Sequence, residues 1–165
     1  MNIRTIIYFA LLTTPWSAFA NTGCPIQFAH YKYGWEGGVA DFIMTRPAAG
    51  LRSKLSLHLF FKGVGEAWFL FDQGNARYVS LISTEDVNSP TWTAPDPDSN
   101  RRRPLADQKY LAWNDDMRIS NDPPVKGSMA PEYFVIPELP EALQFDQGKP
   151  EIIGAGIYKF DFCKR

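Results

Sequence analysis

Histidine is almost missing from this chain: its 165 residues include two, His30 and His58. Imidazole is the usual general base and a frequent metal ligand, so the shortage narrows the catalytic repertoire. No Gly-x-Ser-x-Gly elbow marks a nucleophilic serine. Cysteine is as scarce, with Cys24 and Cys163 alone and no Cys-x-x-Cys spacing to suggest a redox pair. Asp96-Pro97-Asp98-Ser99-Asn100 begins like a calcium loop, yet Arg101 stands where the loop needs glycine and Asp107 where it needs glutamate. The sequence therefore implies no metal and no other cofactor, and no catalytic residue is assigned. Charge of one sign is missing too. With 17 basic against 18 acidic residues the formal charge is -1, which argues against nucleic acid or an anionic membrane as the main partner. No apolar run approaches the roughly 20 residues of a membrane-spanning helix.

What is present begins with Arg4, a short apolar stretch from Ile6 to Leu12, and Ala18-Phe19-Ala20. A positive start, a brief greasy core and small residues at the end read as a secretory signal over residues 1–20, leaving 21–165 as a single β-rich mature domain. Lipidation of Cys24 is the lesser alternative, because Asn21 stands where a lipoprotein signal usually has leucine. From Asn21 onward no asparagine opens an Asn-x-Ser/Thr acceptor, which favours a bacterial periplasm over a glycosylating secretory route. Outside the cytoplasm thiols oxidise, and Cys24 and Cys163 have each other as their one intramolecular partner. A disulfide clasping the two ends of the domain is expected.

Along the chain, Leu55, Leu57, Leu59 and Phe61 alternate with Ser56, His58 and Phe60, the signature of a half-buried strand. Turn chemistry at Gly63-Val64-Gly65 and Asp72-Gln73-Gly74-Asn75 separates it from strands over Glu66 to Phe71 and Arg77 to Thr84, an antiparallel meander. Pro25 to Tyr33, Val39 to Thr45 and Ile152 to Cys163 read as further strands, the last with Tyr158, Phe160 and Phe162 on one face. Lys109 to Ile119 is a short strand or helix. The fold class is mainly β, an antiparallel sandwich or barrel-like sheet with long Pro-rich loops. Cys163 alternates with the polar face of its strand, whereas Cys24 shares parity with Ile26 and Phe28, so either a bulge intervenes or the cysteines lie beyond the paired region. Glu66-Ala67 with Phe71-Asp72-Gln73-Gly74 is echoed by Glu141-Ala142 with Phe145-Asp146-Gln147-Gly148, read as reuse of one hairpin turn chemistry.

Candidate contact residues come from the loops. Trp35 sits in Gly34-Trp35-Glu36-Gly37-Gly38 and Trp92 in the Pro-rich stretch from Asn88 to Pro104, where a large ring either plugs the domain or meets a partner. Arg101, Arg102 and Arg103 form the sharpest charge feature, suited to phosphate, an acidic glycan or an acidic protein patch. The leading expectation is an exported, non-enzymatic binding protein, of the periplasmic inhibitor or immunity type, offering this loop to a protein or a small anionic or glycan ligand. Two alternatives stand beside it. One is a small-molecule or glycan site in an aromatic-lined cavity. The other is a hydrolase using a carboxylate pair such as Asp115-Asp116, Glu36 with Asp41, or Glu66 with Asp72.

Overall fold

A strand period of two buries one row of side chains and leaves the other outside. In the computed structural model, which describes residues 23–34, 37–48, 50–73, 78–95, 103–147 and 156–164, that rule organises nearly the whole chain. The strands are β1 Ala29–Tyr33, β2 Gly38–Met44, β3 Leu55–Phe61, β4 Gly65–Asp72, β5 Val79–Thr84, β6 Gln108–Trp113, β7 Ile119–Ser120, β8 Tyr133–Val135 and β9 Tyr158–Cys163. A 3-10 turn, Ile26–Phe28, precedes β1, and a helix, α1 Leu139–Gln147, lies between β8 and β9. Eight strands close an antiparallel barrel in the order β1-β2-β3-β4-β5-β6-β8-β9, with β9 returning to β1. The sheet is thus a barrel and not a sandwich.

The eighth-strand closure depends on one irregularity. Ala29 pairs with Cys163 and His30 with Phe162, but Tyr31 pairs with Phe160, so Asp161 is the extra residue of a β-bulge. The bulge resolves the parity conflict between the cysteines. It also corrects the expectation that Phe162 shares a face with Tyr158 and Phe160: beyond the bulge Phe162 turns outward and its ring lies 4.7 Å from that of His30. Cys24 and Cys163 are bonded, with Cα atoms 5.7 Å apart.

Inside, the barrel is filled by its own aromatic rings. Phe42 stacks on Phe71, Phe134 stacks on Tyr158, and Tyr31 meets Phe134 edge-on, all of them essentially buried. Eight strands enclose about enough width for side chains and little more. Leu139, Ala142 and Leu143, at helical spacing, pack α1 against the same core. The expected strand over Pro25 to Tyr33 begins later, because Pro25 opens the 3-10 turn instead, and Lys109 to Ile119 is strand to Trp113 followed by a turn into β7. The echoed dipeptides do not share a structure: Glu66-Ala67 lies in β4 and Glu141-Ala142 in α1.

The pairing registers give the barrel two distinct ends. The β1–β2 and β3–β4 turns, the 85–107 connection and α1 gather at one end. The disulfide and the excursion from β6 through β7 to β8 gather at the other.

Candidate functional site

At the disulfide end the 3-10 turn and the 123–131 segment are stitched together. The Ile26 amide donates to the Ser128 carbonyl, the Ala130 amide to the Cys24 carbonyl, and the Gly127 amide to the Gln27 side chain. Ser53 donates its hydroxyl to the Pro124 carbonyl at 2.6 Å, tying the segment to the residues before β3. Opposite this wall runs β6, which parts from β5 after Tyr110 and pairs instead with β7 at Ala112 and Trp113.

Between the two walls lies a cleft of about 240 Å³. Its floor is Ile26, Tyr110 and Ala112, and its polar rim carries Asn114, Arg118, Ser120 and Asp122. Val125 and Met129 of its lining are exposed, and so are Met117 and Ile119 in the same excursion, Met117 at 72%. Met117 also has φ 59°, the left-handed region that a non-glycine side chain rarely adopts, at the turn closed by its amide on the Asn114 carbonyl. Trp113 stacks on Tyr133, 5.9 Å between centroids, beside this mouth.

Tyr110 is 2% exposed, and its hydroxyl has no hydrogen-bond partner among the described residues. Burial pushes its phenol well above the usual tyrosine range, so it stays a neutral hydroxyl. Burial, with the neighbouring Tyr110 and Glu132, does the same to Tyr31. The Tyr31 hydroxyl donates to the carbonyl of Pro131, a residue of the cleft wall.

Of the contact residues singled out in the sequence, Trp92 and Arg103 are described and lie elsewhere. Trp92 is 5% exposed and does not stand out from its loop. The chain after β5 folds back over the outer face of β4 and β5, where Trp92 joins Trp68, Leu70, Ile82 and Val87. Its indole donates to Thr84 Oγ1 at 2.8 Å, and Arg46 lies over its ring. Of the two settings open to this ring, plug and contact, it occupies the plug. Arg103 is paired with Asp107. Trp35, Arg101 and Arg102 lie outside the described residues, as do the signal segment, the Asp96 to Asn100 stretch and Glu36.

Both histidines fall on one outer row, in which His30 opposes Asp41 on β2, Asp41 opposes His58 on β3, and His58 opposes Trp68 on β4. His30 Nδ1 is 2.7 Å from Asp41, and His58 Nε2 is 2.9 Å from Glu66. Neither has a hydroxyl or thiol among its described hydrogen-bond partners. Lys164 also bonds Asp41, at 2.7 Å. Of the carboxylate pairs, Glu66 with Asp72 does not assemble: the two stand at opposite ends of β4, about 20 Å apart at strand rise, well beyond the separation a glycosidase uses. Asp116 is turned to the Arg118 amide. Among the described residues no group of three or more His, Cys, Asp or Glu is placed to hold a metal ion, and no helix is long and apolar enough to cross a membrane.

Sequence reasoning passed over the 113–131 excursion because Asn121 to Pro131 reads as an irregular run. The available signal was Met117, Ile119, Val125 and Met129 scattered through a polar, Pro-rich segment with no period to bury them. Comparison with protein-family models, curated proteins and solved structures finds no match to the chain. What fold and site define together is a closed eight-stranded barrel with an aromatic-rich core and a cleft of apolar floor and polar rim at its disulfide end.

Proposed function

We propose that this protein is an exported, non-enzymatic binding protein, of the periplasmic inhibitor or immunity type, and that it meets a macromolecular partner with the disulfide end of its barrel. The observation that carries the reading is the run of exposed apolar side chains in the excursion between β6 and β8, Met117, Ile119, Val125 and Met129, of which Val125 and Met129 line the cleft. Solvated surfaces rarely gather such residues in one place unless something covers them. The filled interior supports a surface contact over a ligand held inside the barrel. The disulfide fits an oxidising compartment. The anion contact expected of Arg101, Arg102 and Arg103 is a separate proposal, since Arg103 leads into β6 from the opposite end.

The test is comparative capture from the host's periplasmic extract, using the wild-type protein and an Ile119→Asp/Met129→Asp double variant of matched melting temperature. A protein retained by the wild type and lost roughly tenfold or more by the variant supports the reading, because placing two charges in a contact core costs well over the 1.4 kcal/mol that a factor of ten represents. Equal retention by both, or none by either, overturns it.

A further inference from the structure

β9 is held differently on the two sides of its bulge. Up to Phe160 it has a strand on each side: Tyr158 and Lys159 pair with β8 as well as β1, and the Phe160 amide donates to the Glu132 carbonyl at 2.9 Å. Tyr158 is buried and stacked on Phe134, and Phe160 meets Tyr31 edge-on, so this half belongs to the core. From Asp161 onward β1 is the one neighbouring strand among the described residues, and Asp161, Phe162, Cys163 and Lys164 are all exposed. None of these four is a member of the core.

The ties that hold this exposed half fall into two kinds. The first kind is non-covalent and lies at or near the surface. The Lys164 amide donates to the Phe28 carbonyl at 2.6 Å, the Lys164 ammonium bonds Asp41 at 2.7 Å, Lys32 bonds Asp161 at 3.0 Å, and the Phe162 ring lies against His30. Exposed ion pairs and ring contacts of this sort hold weakly against water. The second kind is the disulfide, which is asymmetric. Cys163 is exposed, whereas Cys24 is 6% exposed and belongs to the core. Cys24 is also fixed from its other side, since its carbonyl accepts from the Ala130 amide and nearby Ile26 donates to Ser128. Breaking the bond therefore leaves Cys24 in place and frees the end of β9. Access favours reaction at the exposed sulfur, because exchange needs an approach to it.

We propose that Asp161 to Lys164 form a redox-released strap hinged at the bulge: the disulfide pins it, and a dithiol reductant lets it leave β1 while the barrel stays closed through the pairs Tyr31–Phe160, Lys32–Lys159 and Tyr33–Tyr158. A thiolate of the reductant attacks Sγ of Cys163, the S–S bond breaks, and Cys24 departs as a thiolate that takes up a proton. The second thiol of the reductant then attacks the mixed disulfide, releasing Cys163 as a thiol and closing the reductant into its own disulfide. Two electrons pass to the protein. Release removes Lys164 from both the Phe28 carbonyl and Asp41, leaving His30 as the Asp41 partner. The device is independent of the binding reading above.

The test follows amide hydrogen exchange by NMR on the isotope-labelled, oxidised full protein before and after dithiothreitol, without denaturant. N-ethylmaleimide labelling read by mass spectrometry follows the two thiols. On reduction the Lys164 amide should exchange about a hundredfold faster, while the Phe160 and Ile26 amides, bonded to Glu132 and Ser128, stay within about threefold of their oxidised rates. The maleimide should modify Cys163 about tenfold faster than Cys24. A Lys164 amide that reduction leaves unchanged, a disulfide that resists dithiothreitol until urea is added, or equal labelling of the two cysteines overturns the inference. Loss of protection at Phe160 and Ile26 together with Lys164 overturns it as well, since the barrel would then open as a whole and no part of β9 would move alone.

Discussion

Asp41 shows how much one side chain on the outer wall of the barrel is asked to do. Burial alone would raise its carboxyl, but hydrogen bonds from Lys164 and His30, and their charge, hold it below the usual carboxylate range. A carboxyl whose value is lower folded than unfolded stabilises the fold above its unfolded value, about 3.9, and that contribution is lost as pH falls through the folded value. The melting temperature of Asp41→Asn is therefore expected below that of the wild type from about pH 5 upward, the two converging as pH falls through the folded value. A constant gap across that range would show that the carboxylate charge is not what Asp41 contributes. Residue identity made His30, His58 and Asp41 visible in the sequence, but not their company. The β1–β2 connection is no two-residue hairpin, and a slip of one position would have sent Asp41 to the interior. Trp92 was legible only indirectly. Its loop composition suggests exposure, whereas Ala67-Trp68-Phe69-Leu70-Phe71, apolar on both faces of β4, requires a second layer over the barrel.

That second layer is the element at which the long connection after β5 becomes part of the fold. Arg46, in the β2–β3 connection, donates to the carbonyls of Ser89 and Trp92, and Ser83 both donates to the Leu105 carbonyl and accepts from its amide. Trp92→Ala should cost about 3 kcal/mol in equilibrium urea unfolding, as expected for deleting a buried indole. A loss under about 1 kcal/mol would mean that the layer is dispensable. Strands β2 to β5 were readable because their alternation is clean and their turns carry glycine. β8 escaped because three residues hold no period, and α1 because Pro137 and Pro140 stand where a helix start is hard to tell from a loop. β7 is shorter still, and its existence follows from β6 outrunning β5 rather than from any preference of Ile119 and Ser120.

At the scale of the whole molecule, the disulfide joins positions 139 residues apart. In the chain-entropy account, closing so long a loop removes about 5 kcal/mol of unfolded-state freedom. Cys24→Ser should lower the urea-unfolding free energy by that order and leave Cys163, already at the surface, open to thiol reagents. A loss below about 1 kcal/mol would show that the barrel's other contacts set its stability without the clasp. Cysteine count and compartment made this bond legible, and with it the neighbourhood of first and last strands. Barrel closure between β5 and β6 was not legible, because the connection between them hides which edges meet.

The position of β9 has a further consequence, for the order in which the barrel is assembled. The last strand in sequence sits between the first strand and β8, in the middle of the wall. A chain emerging from its beginning forms the β2–β5 meander from local contacts, yet one side of β1 stays open until Tyr158–Cys163 follows. Through that interval the rings of Tyr31, Phe42 and Phe71 line an open trough, a surface for holding chaperones or for other unfinished copies. Refolding yield is then expected to fall as protein concentration rises, measured as the recovered monomer after dilution from urea.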